Sequence, residues 1–550
     1  MRRPTAGAAA RLLFWTLALL PLWYSLGGHA IQGDSEARYA AVAHGMAFGG
    51  ESWWVPNWLG DPHLTKPPAA YWAQAVAMRA LYAPDTPREL LGWAFRLPGA
   101  LAGTWVLVAF FRLVREELSA QTAYVATGLL AGTPLFVAVH RLGITDGPLH
   151  AALITAVAAG VRALRTGHPR HRRTLWAAAA AAFLIKGPAA LPLLIAFLGG
   201  AAVADPRNVL AKLRPARGFV AAVLPLIAWS FYVWWRVPGA GAIWRSETLG
   251  RFGPNGAHPE PVWFFLPVLL IGAAPATFWL TSKTNKVHRA TLFMLGQWLV
   301  FVPLLLFSLQ RGKLMSYLAP VVPWCCLLAT RSIFTHPGAF GPSRGSRYLF
   351  VMGYGWYLRR FFPGAVLLIV GLLLVAVGPD VSIYGAKLTQ WPGVILAVCG
   401  VLVAVTEYCR VDRLRIYAVA AVAWVSALLF LQHFEDRVAA SDDLSRVVQA
   451  VRERSGLREP LILTVGFSDR RLACYTNRPT YAIDPRVLPE VWEQLDRCNL
   501  ILLADARKWS FFARDPNWDL SERYELLPGH IRVGREPGLL LIYRVSPALR

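Results

Sequence analysis

Long apolar segments recur along this chain, and they limit its fold more than any other feature. The 550-residue sequence is 55% hydrophobic, and its apolar residues fall in blocks separated by polar loops. A helix crosses the hydrocarbon core of a bilayer in about 20 residues, and backbone groups in lipid must be hydrogen-bonded within the protein. The blocks lack the alternating pattern of barrel strands. The sequence therefore predicts an all-α polytopic membrane protein.

About 13 blocks are candidate transmembrane helices, some of them short enough to be half-helices. They are residues 12–26, 95–114, 122–139, 144–161, 175–185, 189–203, 219–235, 263–280, 292–309, 317–330, 362–377, 394–407 and 416–431. The first block follows three arginines and is interpreted as an uncleaved anchor rather than a signal peptide. Residues 1–435 then form one membrane domain, with a long first extracytoplasmic loop at about 29–92.

The net charge of +24 comes from 56 basic and 32 acidic residues. Nucleic-acid binding is one explanation, but the basic residues cluster in alternate loops, as they do when positive charge orients helices in a membrane. These loops are 162–173, 205–217, 282–290, 331–361 and 410–415. We therefore expect a cytoplasmic N-terminus, loops 29–92 and 236–262 on the opposite side, and no nucleic-acid partner.

The composition changes near the C-terminus. Residues 440–550 are more polar and contain short apolar runs at 461–465, 499–504 and 539–545, partly separated by helix-like segments at 443–454 and 489–496. This pattern is typical of a small α/β domain. An odd number of spans would put that domain on the same side as the first loop.

The first loop opens with two acids, Asp34 and Glu36, directly after the first apolar block. Carboxylates just outside a span can act as a general base or bind a hard cation. The alternative is that one acid caps a helix beginning near residue 35 and the other is solvated.

Lys66 precedes two prolines that open another apolar segment at 69–81. Proline suits the first turn of a helix, so this lysine lies near a helix N-terminus, where it gains from an anion such as phosphate. The alternative is a lysine that snorkels to the membrane interface. The tryptophans nearby fit an interfacial aromatic belt, with stacking on a sugar as the second interpretation.

Further charges flank later blocks on the same predicted side. Arg141, Asp146 and Lys186 lie at span ends, where ionisable groups are costly and tend to be paired or functional. Arg311 and Lys313 either strengthen an anion pocket or are ordinary flanking charges.

These motifs, in this order, resemble one family: the ArnT-like, PMT-type GT-C glycosyltransferases, which include the aminoarabinose transferases that modify lipid A. The matching strings are Asp-Ser-Glu-Ala-Arg-Tyr-Ala at 34–40, Trp-Val-Pro at 54–56, Lys-Pro-Pro at 66–68, Arg-Leu-Pro at 96–98, Arg-Leu-Gly-Ile-Thr-Asp at 141–146 and Lys-Gly-Pro at 186–188. The similarity covers most of the chain and is strongest over 30–320.

The resemblance implies inverting transfer of a sugar from a polyprenyl-phosphate donor, on the periplasmic face of the bacterial inner membrane. Lipid A, another glycan and a protein side chain are the acceptors it allows. The family usually has an adjacent Asp-Glu pair, whereas here Ser35 separates Asp34 from Glu36, so either acid can fill the catalytic role. Asp146 matches a second functional acid.

The same resemblance implies which cations hold the donor. Lys66 would bind the donor phosphate, and Arg141, Arg311 and Lys313 would add positive charge around it. Preorganised cations of this kind stabilise the charge that develops on a leaving phosphate.

The resemblance leaves a divalent metal open. The aminoarabinose transferases carry a glutamate directly before the loop lysine, and it binds a metal together with a histidine. Here that position is Thr65, while His258 remains the match for the histidine. From its own surroundings in the sequence, His258 is a metal ligand, a proton carrier or neither.

A transporter or flippase for a lipid-linked substrate is the alternative function. Such a protein would carry ionisable residues near the midplane and broken helices in paired halves. The charges here lie at span ends, which favours the transferase.

Overall fold

The computed structural model describes residues 6–27, 31, 33–58, 60–83, 86, 91–248, 259–274, 276–279 and 291–334. Beyond these it describes the segments 368–369, 372, 382–383, 386–387, 401, 461–465, 472, 480–483, 500–505, 525–526, 531–533 and 536–544. Residues 6–334 are mainly helical within these bounds.

The helices are numbered along the chain. They are α1 (Ala6–Trp23), α2 (Gly33–Phe48), α3 (Ala69–Leu81), α4 (Gly92–Glu117), α5 (Ala120–Ala131), α6 (Pro134–Arg141), α7 (Asp146–Thr166), α8 (Pro169–Lys186), α9 (Leu191–Ala204), α10 (Pro206–Asn208), α11 (Pro215–Arg236), α12 (Ala240–Thr248), α13 (Phe265–Gly272), α14 (Thr291–Leu309) and α15 (Val322–Phe334). Three 3₁₀ turns at Gly187–Ala190, Ala276–Trp279 and Met315–Val321 and a π-helical turn at Val209–Leu213 link some of them.

Several helices are long and apolar enough to cross a membrane. Among the described residues there are five such stretches, namely α4, α7, the run α8–α9, α11 and α14, and a sixth if α5 and α6 form one span. These helices confirm the predicted all-α membrane fold. The predicted spans at 362–377, 394–407 and 416–431 lie outside the described residues, so the total number stays a prediction.

Three predicted spans are interrupted. The span at 122–139 bends by 64° between α5 and α6, where Pro134 begins the second helix. The span at 263–280 consists of α13 and a 3₁₀ turn, and the span at 317–330 begins with a 3₁₀ turn that contains Pro320. Proline has no backbone N–H and disfavours the helical conformation of the residue before it, so it breaks regular helices.

The run α8–α9 is a hairpin, although its 36 residues pass as one apolar span. In a straight helix, Trp176 and residue 204 would be about 42 Å apart, too far for the short helical turns that follow to return. Instead, Nε1 of Trp176 donates to the carbonyl of Leu213 at 3.0 Å, and Nη1 of Arg172 donates to the carbonyl of Lys212 at 3.4 Å. The chain therefore reverses at Gly187, which has a φ of 60°.

Polar contacts identify the two ends of the bundle. At one end, Glu116 of α4 accepts two hydrogen bonds from Arg162 of α7, at 2.7 and 2.9 Å. Nζ of Lys212 donates to the carbonyl of Leu164 at 2.5 Å, which brings the loops at 162–173 and 205–217 together. The opposite end contains the start of α7, the end of α8 and the first loop.

Close approach of the helices explains the small residues in this sequence. Gly160 of α7 lies against the ring of Phe197 of α9, where no Cβ would fit. Small residues of this kind let membrane helices pack closely.

The C-terminal part contains a mixed β-sheet. Two short antiparallel pairs precede it: β1 (Asn57–Trp58) with β2 (Asp61–Pro62), and β3 (Ser382–Ile383) with β4 (Ala386–Lys387). The strands of the sheet itself are β5 (Leu461–Val465), β6 (Thr480–Ile483), β7 (Leu500–Asp505), β8 (Glu525–Leu526), β9 (Ile531–Val533) and β10 (Glu536–Arg544). The order is β6-β5-β7-β10-β8, with β5 parallel to β6 and β7, and β10 antiparallel to β7, β8 and β9.

Three strands of this sheet coincide with the apolar runs that the sequence marks. The predicted helical segments at 443–454 and 489–496 lie outside the described residues. Ile462 and Leu503 are buried in the same apolar cluster as Ala37 and Val42 of α2. The sheet is therefore packed at the end of the bundle that carries the first loop.

Candidate active site

Helix α2 carries the two acids of the first loop. Asp34 lies in its first turn, where a negative charge is favoured by the helix dipole. Glu36 is buried and accepts hydrogen bonds from Nε and Nη2 of Arg96, at 2.8 and 2.9 Å, and from the backbone N–H of Gly143 at 2.9 Å. This carboxylate therefore links α2 to α4 and to the connection between α6 and α7.

Asp146 and Lys186 form a second buried pair. Nζ of Lys186, the last residue of α8, lies 2.5 Å from Oδ1 of Asp146, the first residue of α7. The same ammonium lies 5.0 Å from the centroid of the Tyr317 ring, within the range of a cation–π contact. An acid and a cation that are far apart in sequence are thus fixed at one end of the bundle.

Tyr39 of α2 lies close enough to this pair for the charges of Lys186 and Asp146 to act on its phenol. Its ring contacts Tyr71 at a centroid distance of 5.6 Å, and the guanidinium of Arg38 lies 5.5 Å from its centroid. Burial raises the pKa of the Tyr39 phenol above its ordinary value, although the charges of Lys186 and Arg38 oppose the shift. The phenol therefore stays protonated near neutral pH and is available as a hydrogen-bond donor.

Lys66 is held beside the turn of the α8–α9 hairpin. Its Nζ donates to the carbonyl of Thr65 at 2.9 Å. The next residue, Pro67, lies against Gly187, where an added Cβ would be 3.9 Å from Cγ of the proline. The loop lysine and Lys186 are therefore brought to neighbouring positions, as a shared anion site would require.

Three indoles fasten the first loop to three different helices, α3, α11 and α12. Each donates its N–H to a backbone carbonyl of the loop: Trp72 to Trp53 at 2.5 Å, Trp229 to Trp54 at 2.8 Å and Trp244 to Leu64 at 3.2 Å. These hydrogen bonds hold the loop in place, while the aromatic belt and sugar stacking stay predictions.

An open apolar groove lies between α11 and α12. Its volume is about 340 Å³, and its lining residues are Leu226, Ile227, Ser230, Phe231, Trp234 and Trp244. One lining residue, Trp244, also donates to the carbonyl of Leu64, two positions before Lys66 in the chain.

The remaining predicted cations have other contacts. Arg141 is buried and donates to the carbonyls of Pro21 and Tyr24 at the end of α1, at 2.9 and 2.6 Å. Lys313 is buried and donates to the carbonyls of Glu260, at 2.8 Å, and Gln310. These contacts give both residues a structural role at this end of the bundle.

Arg311 differs from these two cations because its side chain is exposed. Its carbonyl accepts from the N–H of Glu260 at 3.1 Å, which ties the start of α13's segment to the end of α14. His258 lies outside the described residues.

The described residues do not fit the metal site that the resemblance implies. Thr65 supplies no carboxylate, and its hydroxyl lies 2.9 Å from Nε2 of the buried His63. No three His, Cys, Asp or Glu side chains within the described part of the chain are grouped as metal ligands.

Sequence reasoning missed three residues of this site. Arg96 lies one position inside the apolar block that begins at 95, and a charge at that depth was the available signal. Tyr39 and Gly143 lie in strings of the resemblance, but those strings assign them no role, because their partners are distant in sequence.

Comparison with known proteins identifies the class. A family described as dolichyl-phosphate-mannose-protein mannosyltransferase matches residues 65–235. The fold is similar to that of ArnT from Cupriavidus metallidurans, crystallised with undecaprenyl phosphate, with a TM-score of 0.74 at 18% identity over 98% of this chain and 99% of that chain.

Two relatives are undecaprenyl phosphate-alpha-4-amino-4-deoxy-L-arabinose arabinosyl transferases. The protein of Pectobacterium carotovorum is 27% identical over 401 residues, which cover 70% of this chain and 68% of that protein. The protein of Pseudomonas aeruginosa is 29% identical over 358 residues, which cover 58% of this chain and 59% of that protein. The match thus spans about two thirds of these relatives or less.

The fold and the matched family define an integral-membrane glycosyltransferase of the GT-C type. Within that class, the chain is similar to the ArnT-like, PMT-type transferases.

Proposed function

We propose that this protein transfers a sugar from a polyprenyl-phosphate donor to an acceptor hydroxyl at the extracytoplasmic face of the bacterial inner membrane, with inversion. The observation that carries the proposal is the buried pair of Asp146 and Lys186, 2.5 Å apart. Pro67, the neighbour of Lys66, lies against Gly187, and α2, which begins at Gly33, is bound to Gly143 through Glu36. Paired acids and cations at a membrane surface suit a reaction in which a phosphate leaves and a hydroxyl attacks.

The donor phosphate is assigned to Lys66 and Lys186. Their backbone segments meet where Pro67 contacts Gly187, so both ammonium groups can approach one anion. Exposed Arg311 adds charge at the entrance, while Arg141 and Lys313 support the surrounding backbone through carbonyls. Both relatives carry undecaprenyl phosphate in their names, which supports a polyprenyl carrier.

The lipid tail of the donor is assigned to the apolar groove between α11 and α12. Trp244, which lines the groove, donates to the carbonyl of Leu64, two residues before Lys66 in the chain. A long isoprenoid chain gains free energy from such an apolar lining, while its phosphate remains at the polar end of the groove.

Asp34 is assigned as the base. It takes the proton of the acceptor hydroxyl while the hydroxyl oxygen attacks the anomeric carbon from the face opposite the phosphate. The bond between the anomeric carbon and the phosphate oxygen breaks, and its electron pair stays on the leaving phosphate, which the lysines stabilise. Glu36 is less suited to this step because Arg96 and Gly143 already bind its oxygens.

Asp146 is assigned a supporting role as the second acid. Its carboxylate fixes the ammonium of Lys186, and a neighbouring negative charge keeps that lysine protonated. The cation is therefore ready for the phosphate before the donor binds.

The orientation follows from the charge of the loops. The end with Arg162, Lys212 and their neighbours is assigned to the cytoplasm, which puts the first loop and the acid–cation pair in the periplasm. The N-terminus is then cytoplasmic. We assign residues 1–435 to the membrane domain and 440–550 to a periplasmic α/β domain, supported by the packing of Ile462 and Leu503 in the cluster of α2.

Several sugars and several acceptors are compatible with this site. The relatives act, by name, on an aminoarabinose donor, but Thr65 stands where the resemblance expects a glutamate, so aminoarabinose is one donor to test among several. Lipid A is the first acceptor to test, followed by other glycans and protein side chains.

The test is transfer by the purified full chain in proteoliposomes supplied with undecaprenyl-phosphate sugars and envelope lipids. Asp34→Asn and Lys66→Ala should abolish product formation without loss of folded protein, whereas Glu116→Gln at the opposite end should not. Wild-type rates in the first two variants would reject the site. Movement of donor across the bilayer without any glycosidic product would favour the flippase instead.

A further inference from the structure

We propose that Glu36 and Arg96 are a positioning pair that sets the distance between the two acid-bearing helices, α2 and α7. The inference rests on the proposed function, since it assigns roles relative to Asp34 and Asp146. In this proposal Glu36 does not transfer a proton, and Arg96 contributes to the reaction by helping to position Asp34 and Asp146.

The pair joins four separate parts of the chain. Glu36 of α2 accepts both Nε and Nη2 of Arg96 in α4, and the backbone N–H of Gly143 between α6 and α7. Arg96 also donates from Nη1 to the carbonyl of Leu26 after α1, at 3.3 Å. A bidentate pair of this kind fixes direction as well as distance.

Both acids of the reaction are close in sequence to this pair. Asp34 lies two residues before Glu36 on the same helix, and Asp146 lies three residues after Gly143. The Gly143 peptide is also held from its other side, because Nε2 of Gln74 donates to its carbonyl at 2.9 Å. A change in the length of either side chain of the pair is therefore transmitted to the spacing of the two acids.

Burial makes this linkage stiff. The side chains of Arg96 and Glu36 are only 1% and 2% exposed, so water does not compete for the hydrogen bonds. A buried pair of ions is a weak source of stability, because both charges lose their hydration, but its geometry is specific. The pair therefore contributes by fixing the relative positions of α2, α4 and the Gly143 backbone.

The test compares Glu36→Gln, Glu36→Asp and Arg96→Lys in the proteoliposome assay, with each rate taken per folded protein. We expect kcat to fall about 100-fold in Glu36→Gln and Arg96→Lys, since misplacement by about 1 Å costs that much. KM for the donor should stay within twofold, and Glu36→Asp, which keeps the charge, should recover part of kcat.

The pH profile separates positioning from catalysis. If Glu36 only positions the two acids, kcat of Glu36→Gln is lower than that of the wild type at every pH. The acid limb of its pH profile then stays at the same pH as in the wild type. The matched control is Glu116→Gln, which breaks the bidentate pair with Arg162 at the opposite end of the bundle and should leave kcat unchanged.

Two results would overturn the inference. Loss of the acid limb in Glu36→Gln would make Glu36 the base, and wild-type kcat in both Glu36→Gln and Arg96→Lys would remove the positioning role. If Glu36→Gln does not fold, wild-type kcat in both Glu36→Asp and Arg96→Lys removes the positioning role. Full activity of Asp34→Asn would instead reject the proposed function itself, so the two failures are distinguishable.

Discussion

Lys186 and Asp146 meet at the turn of the α8–α9 hairpin, with the ammonium nitrogen 2.5 Å from Oδ1 of the carboxylate. Their side chains are 6% and 9% exposed, so neither charge is hydrated by bulk water. The pair joins the start of α7 to the end of α8, the two helices whose other ends meet through Arg172, Lys212 and Leu164. Each helix is thus held at both ends.

Removal of one member of this pair should destabilise the protein strongly. Lys186→Met leaves Asp146 buried without its cation, which costs about 3–5 kcal/mol in the free energy of unfolding. Thermal unfolding in detergent measures the loss. The double variant Asp146→Asn with Lys186→Met should be more stable than Lys186→Met alone, and the exposed Glu116→Gln should cost less than about 1 kcal/mol. Equal losses in the single and double variants would contradict the pairing.

Gly143→Ala should disrupt the site through volume alone. A Cβ at this position would overlap the ring of Phe95, so the peptide must move and its N–H must leave Glu36. We expect loss of transfer and less folded protein by size-exclusion chromatography. Gly128→Ala is the control, because its Cβ would be 3.6 Å from Phe14, an ordinary contact, and alanine favours a helix by about 0.5–1 kcal/mol.

Trp229→Phe should loosen the first loop. The change keeps an aromatic ring but removes the N–H that donates to the carbonyl of Trp54, a hydrogen bond worth about 1 kcal/mol. Limited proteolysis should then cleave within residues 50–64 faster than in the wild type. Trp234→Phe, on an exposed indole of the same helix, should leave the cleavage rate unchanged.

The two ends of the bundle should label differently in cells. In a chain without its native cysteines, Asp61→Cys should react with a membrane-impermeant maleimide in spheroplasts, because the first loop is assigned to the periplasm. His168→Cys, exposed at the basic end, should react only after the membrane is permeabilised. The reverse pattern would invert the proposed orientation.

Transfer should not depend on a divalent metal. Thr65 offers a hydroxyl bonded to His63 where a carboxylate ligand would be needed. Dialysis against EDTA should therefore leave the rate unchanged, with metal content followed by mass spectrometry. A rate that falls with EDTA and returns with zinc would show ligands other than those described.

The sequence predicted those parts of the fold that depend on local composition. Apolar blocks of membrane length marked the helices, and isolated charges at their ends marked Asp146 and Lys186 before their contact was known. The interrupted helices were harder to predict, because a proline or a 3₁₀ turn inside an apolar block leaves its hydropathy unchanged.

Partners distant in the chain were beyond prediction. Glu36 is 60 residues from Arg96 and 107 from Gly143, and nothing in the sequence indicates that these three meet. For the same reason the sequence does not show that Arg141, predicted to bind the donor phosphate, also donates to the carbonyls that end α1. Its part in binding the donor stays a prediction.

The hydrogen bond from Gly143 to Glu36 is donated by a backbone N–H, so most substitutions at position 143 keep the donor itself. Only proline would delete that donor directly, while every other replacement acts by adding atoms against Phe95. In a random mutagenesis screen, almost no amino-acid replacement at position 143 should therefore retain transferase activity. At 36 only aspartate should keep part of the activity, and at 96 lysine should not suffice, because it cannot make both hydrogen bonds to Glu36.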